Sequence, residues 1–165
     1  MPGIALGASV ATYASQNFGA NRRRRIVQGQ WVALAVYGVW WLFALAFTFT
    51  AAPTSIRFIT GSTNPDVLKY ALLYLHMSIP MVPPMAVVVI VRNALQGMKH
   101  TIAPLICSTM ELVCKAVFGF KLVPMLGYPA VCACEPVAWV ICMVFILAAA
   151  YAFRNDFKDT QEAQA

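Results

Sequence analysis

Apolar positions along this chain fall in long continuous tracts, not in the alternation of a half-buried strand or the one-sided stripe of a soluble surface helix. Trp31 to Ala52 is a 22-residue run broken only by hydroxyls and Gly38, and no charge occurs over the 31 residues between Arg25 and Arg57. Another 22 uncharged residues separate Lys69 from Arg92. At about 1.5 Å rise per residue, such a helix crosses a hydrocarbon layer of roughly 30 Å. A third tract near residues 102–124 contains Glu111 and Lys115, and a fourth near 128–153 contains only Glu135. The pattern predicts an all-α integral membrane protein with about five transmembrane helices, at 2–18, 31–52, 70–91, 102–124 and 128–153.

The first of these is short. Residues 2–18 are uncharged, and their basic cluster follows the apolar stretch, opposite to the order in a secretory signal peptide. A re-entrant or interfacial helix is the alternative to a short span. Gly3, Gly7, Ala11, Ser15 and Gly19 recur at four-residue steps. This spacing predicts a face that a second helix approaches closely.

Composition agrees with the tracts. Of 165 residues, 61% are hydrophobic and 11% charged, with 12 Lys and Arg against 6 Asp and Glu and a mean hydropathy of +0.70. That balance excludes an ordinary soluble enzyme. Taking the connections alternately, one side of the membrane receives Arg22 to Arg25, Arg92, Lys99, Arg154 and Lys158, and the other receives Arg57, Lys69 and Lys121. The excess of basic residues predicts that the Arg-rich loop and the C-terminal tail face the cytoplasm and the N-terminus lies outside, in the cell membrane. The arginine run lacks the interleaved aromatics and basic domain of a nucleic-acid site.

Three features bear on chemistry. Pro80, Pro83 and Pro84 interrupt the middle of the 70–91 span, where each removes a backbone donor and should bend or open the helix. His76, one turn earlier, could bond a carbonyl released there or handle a proton. Glu111 and Lys115 stand in the favourable i,i+4 order, with Ser108 extending their face. Glu135 has no charged neighbour within its own helix, so it must be protonated, open to water, or paired across helices, with Lys115 one possible partner. Pro104 and Pro136 read as helix-entry residues.

Cys107, Cys114, Cys132, Cys134 and Cys142 form no CxxC pair and read as packing residues, not as a metal or disulfide framework. No nucleotide-binding, hydrolase or metalloprotease motif occurs, so neither enzymatic chemistry nor a cofactor is expected. An ion gradient is the more economical source of energy.

These residues bear a family resemblance. The stretch "ASQNFGA" at Ala14–Ala20 with Arg22–Arg25, then "RNALQG" at Arg92–Gly97 with Met98–His100, then Ser108, Glu111, Lys115, Gly127 and "EPVAW" at Glu135–Trp139 resemble multidrug and toxic compound extrusion transporters. The resemblance runs over essentially all 165 residues. It implies a proton- or sodium-coupled antiporter that exports small organic, often cationic compounds by alternating access. It also implies correspondence to the eighth through twelfth of twelve helices, the eighth cut near its middle, that is, most of the C-terminal lobe. A missing N-terminal lobe or another copy would then complete the path, with the lipid bilayer as the other partner. The helix resembling the family's tenth carries no Asp or Glu, so a cation site is not transferred onto it. A truncated, non-transporting membrane protein or assembly module is the alternative.

Overall fold

The computed structural model describes residues 2–61 and 64–157. Lys158 lies outside the described residues. Among the described residues the chain is helical apart from short turns: α1 is Pro2–Gly19, α2 Arg23–Thr50, α3 Ala52–Thr60, α4 Pro65–Ser78, α5 Val82–Gly97, α6 Ile102–Val117, α7 Val123–Leu126 and α8 Tyr128–Ala152. Helices α4 and α5 are joined by one 3₁₀ turn at Ile79–Met81, and α6 and α7 by a π-helical turn at Phe118–Leu122.

Among the described residues, four helical stretches are long and apolar enough to cross a membrane: Arg23–Thr50, Pro65–Gly97, Ile102–Leu126 and Tyr128–Ala152. The protein is therefore a multi-pass, all-α membrane protein. Helix α1, expected as a short fifth span, is not among these four. Its hydroxyls and amides at Ser9, Thr12, Ser15, Gln16 and Asn17 dilute its apolar character.

Cross-helix contacts fix the directions of the helices. Gly7 of α1 faces Asn93 of α5, and Ala14 faces Gly97, so α1 and α5 run parallel. Gly3 meets Tyr37 and Gly29 meets Tyr13, so α2 returns antiparallel to α1. Tyr128 donates from its hydroxyl to the Tyr70 carbonyl at 3.1 Å, placing the second turn of α4 beside the first turn of α8. One end of the bundle thus collects the α1–α2 turn, the α5–α6 turn and the end of α8. The other end holds α3 and the Gly127 turn.

The small-residue stripe on α1 buries a different line from the one expected. Gly3, Gly7, Val10, Ala14 and Asn17 are buried, whereas Ser15 and Gly19 are exposed. A strict four-residue step precesses about 40° around a 3.6-residue helix at each repeat, while alternating steps of four and three stay on one face. The close approach is real: a Cβ on Gly97 would collide with the Ala11 carbonyl oxygen and stand 2.8 Å from the Ala14 Cβ.

Both turns at the α1–α2 and α5–α6 end close as Schellman caps. Arg22 N–H reaches the Asn17 carbonyl at 2.8 Å and Asn21 N–H the Phe18 carbonyl at 3.1 Å; His100 N–H reaches Leu95 and Lys99 N–H reaches Gln96, both at 3.0 Å. Asn21 and Lys99 occupy the left-handed position, with φ of 56° and 69°. The predicted Arg-rich loop is in fact helical from Arg23 onward, so α2 begins eight residues before the expected span. Near this end Ile26, Ile90, Leu95, Met98 and Ile146 form the most deeply buried apolar cluster. Outward faces, by contrast, stay apolar, as lipid contact requires: Val39, Phe43, Leu112, Phe120 and Val144 are all exposed.

Candidate functional site

Helices α6 and α8 meet antiparallel, and their polar side chains meet with them. Lys115 Nζ stands 2.9 Å from Glu111 Oε1 and 3.0 Å from Glu135 Oε1. The first contact is the expected one-turn pair. The second resolves the alternatives left open for Glu135: its counter-charge comes from the neighbouring helix. All three side chains retain about a third of their exposure, 39% for Lys115, 28% for Glu111 and 31% for Glu135. With every group ionised the trio carries one net negative charge inside two membrane-spanning helices.

Ser108, one turn before Glu111, donates to the Pro104 carbonyl at 3.1 Å and accepts from Arg92 Nη1 at 3.4 Å. The face shared by Ser108 and Glu111 therefore also contacts α5. Farther along the seam the Cys142 thiol donates to the Cys107 carbonyl at 3.6 Å, and both residues are buried. Cys107, Cys132 and Cys142 pack in the interior, and all five cysteines are free thiols. Among the described residues no three His, Cys, Asp or Glu side chains come together as a metal-binding set.

The proline cluster opens the second span as its residues dictate. Pro83 has no N–H, so the Ile79 carbonyl, four residues earlier, loses its α-helical donor. Two groups replace it. Val82 N–H bonds Ile79 in 3₁₀ fashion, and the Trp41 indole Nε1–H of α2 donates to the same oxygen at 2.9 Å. His76 lies one turn away with its ring stacked on Phe49 at 4.8 Å between centroids. Trp41, not His76, is the side chain that bonds this released carbonyl.

Between the opened span and α8 lies a cleft of about 540 Å³, walled by His76, Met77, Pro80, Ala133, Pro136 and Val140 among others. Pro136, expected at a helix entry, sits inside α8 and faces this cleft. Pro104 does occupy an entry position, the third residue of α6. On the other flank of α8 a second, larger cleft of about 620 Å³ is lined by Leu105, Thr109, Met110, Val113 and Phe118, and Ile141 borders both.

The MatE family model matches residues 1–120. The chain belongs to the MatE family. Its members are transporters and not enzymes, in keeping with four apolar spans and a half-buried polar trio between two of them. The match takes in Glu111, Lys115, His76 and the three prolines. It stops at Phe120, so Glu135 and α8 lie beyond it, although the resemblance read from the residues extends further. Neither the curated proteins nor the solved structures yield a significant match.

Within this MatE-family chain, several of the motif residues quoted above are packing residues. Ala14 and Asn17 lie on the buried face of α1, and Gly97 is where α5 touches it. Trp41 and the α4–α8 cleft were not anticipated from the residues. A tryptophan inside an apolar tract has no local signature to separate a lipid-facing ring from a hydrogen-bond donor.

Proposed function

We propose that this chain is part of a cation-coupled exporter in which Glu111, Lys115 and Glu135 form the coupling network. The observation that carries this reading is the Lys115 ammonium lying within 3.0 Å of carboxylates on two different helices. A net charge within a span is costly, so uptake of one proton or sodium ion by the trio would relieve it. The Lys115–Glu135 contact also ties α6 to α8, so any change in its charge state alters the energy of moving one helix against the other.

The α4–α8 cleft, with apolar walls and the His76 imidazole at its edge, suits the body of a small organic compound, often cationic. Pro80, Pro83 and Pro84 give that wall its bend. On this reading the chain corresponds to most of the C-terminal lobe, from the eighth to the twelfth helix, and a second lobe or another copy supplies the facing wall. The Arg-rich end is cytoplasmic and the Gly127 end external, as the excess of basic residues favours.

The test is gradient-driven flux of a fluorescent organic cation into vesicles holding the full polypeptide. Flux that follows an imposed proton or sodium gradient, with its pH dependence displaced in Glu135→Gln, is the expected result. Unchanged pH dependence in that variant would remove Glu135 from coupling. No flux above empty vesicles would favour the non-transporting assembly module.

A further inference from the structure

Helix α2 has 28 residues, a length of about 42 Å, which exceeds a roughly 30 Å hydrocarbon layer by about 12 Å. The excess falls at one end. At the far end Thr50 is followed after one residue by α3, a nine-residue helix in which exposed Phe58 and Ile59 follow Arg57, the composition of a segment lying at a membrane surface. Counting back from Thr50, a hydrocarbon-matched stretch of about 20 residues begins near Trp31. Trp31 is 68% exposed, as expected for an indole at the boundary of the hydrocarbon. Residues 23–30 therefore project into the headgroup layer.

On that projecting segment and the turn before it, Arg22, Arg24, Arg25, Asn21 and Gln28 line a recess of about 320 Å³. Among the described residues, three guanidinium groups and two amides form its walls. Exposed Tyr151 and Arg154, whose guanidinium lies 4.3 Å over the Tyr151 ring, occupy the same end of the bundle. Guanidinium forks match phosphate oxygens in pairs, and arginine stems reach along apolar surface toward the phosphate plane.

We propose that this recess binds the phosphate of an anionic phospholipid headgroup in the leaflet at the Arg-rich end. The site is separate from the Glu111–Lys115–Glu135 network and does not depend on any transport activity. Basic residues held at an anionic membrane surface contribute roughly a fivefold gain in binding each, so removing two should weaken headgroup binding roughly 20- to 30-fold.

The experiment measures thermal stability and co-purifying lipid for the full polypeptide in detergent with added phosphatidylglycerol, phosphatidylcholine or inorganic phosphate. Expected is stabilisation by phosphatidylglycerol over phosphatidylcholine, lost in Arg22→Gln/Arg25→Gln and retained in Arg57→Gln at the opposite end. Arg22→Lys/Arg25→Lys keeps the charge without the fork and should fall between them. Equal lipid preference in the wild type and the glutamine variant would overturn the proposal, and so would full retention in the lysine variant. Stabilisation by inorganic phosphate matching that by phosphatidylglycerol would show a free-phosphate site and reject the lipid.

Discussion

Lys115 of α6 and Glu135 of α8 are 20 positions apart in sequence, yet 3.0 Å separates their charged atoms. The same ammonium holds Glu111 at 2.9 Å, so removing Lys115 leaves two carboxylates facing one another between helices. Lys115→Met should destabilise the folded protein by about 1–2 kcal/mol, less than the roughly 3–5 kcal/mol of a fully buried pair because the groups stay partly exposed. The triple variant Glu111→Gln/Lys115→Met/Glu135→Gln should recover most of that loss. Melting temperatures in detergent, followed by tryptophan fluorescence, check the order; a triple variant less stable than Lys115→Met would exclude the charge argument.

The Trp41–Ile79 hydrogen bond predicts a coupled pair of substitutions. Trp41→Phe removes the indole donor and should cost about 1 kcal/mol for the hydrogen bond, with some packing loss besides. Pro83→Ala returns an amide donor to the Ile79 carbonyl. In a double-mutant cycle Trp41→Phe should therefore cost less in the Pro83→Ala background. Strict additivity would mean that the indole and the missing amide do not serve the same oxygen.

Gly97 is the tightest point between α1 and α5. A methyl group there meets the Ala11 carbonyl and the Ala14 Cβ, neither of which can turn aside. Gly97→Ala should cost about 1–3 kcal/mol and lower the yield of monodisperse protein. Gly7→Ala meets chiefly the tip of the Asn93 side chain, 2.7 Å from the new carbon, and should be milder. Size-exclusion profiles after stepwise heating compare the two.

Lys99 holds a left-handed conformation that a side chain disfavours, and its Cβ serves no packing purpose on an exposed turn. Lys99→Gly should raise stability by a few tenths to about 1 kcal/mol, the relief of strain exceeding the added freedom of the unfolded chain. A lowered melting temperature would contradict this.

Much of the architecture was legible because long apolar tracts leave lipid as the only solvent that fits them. The opening at Pro80 to Pro84 was also legible, since a missing amide has a local consequence at a known position. The π-helical turn was not: Val123 N–H reaches back five residues to the Phe118 carbonyl, and no pattern in "FGFKL" distinguishes that from an ordinary turn. Glu111 and Lys115 could be paired from spacing alone. Glu135 could only be left with open partners, because choosing among them requires the register of α8 against α6, which depends on the sharp reversal at Gly127 (φ 69°, ψ −148°). The position of α1 was legible, but its buried face departs from the expected stripe at Ser15 and Gly19 because a constant step of four ignores the fractional pitch of the helix.

Ile141 is a shared wall, bordering the cleft beside α4 on one flank of α8 and the cleft beside α6 on the other. A displacement of α8 that moves Ile141 therefore reshapes both hollows at once, so neither changes its width there independently of the other.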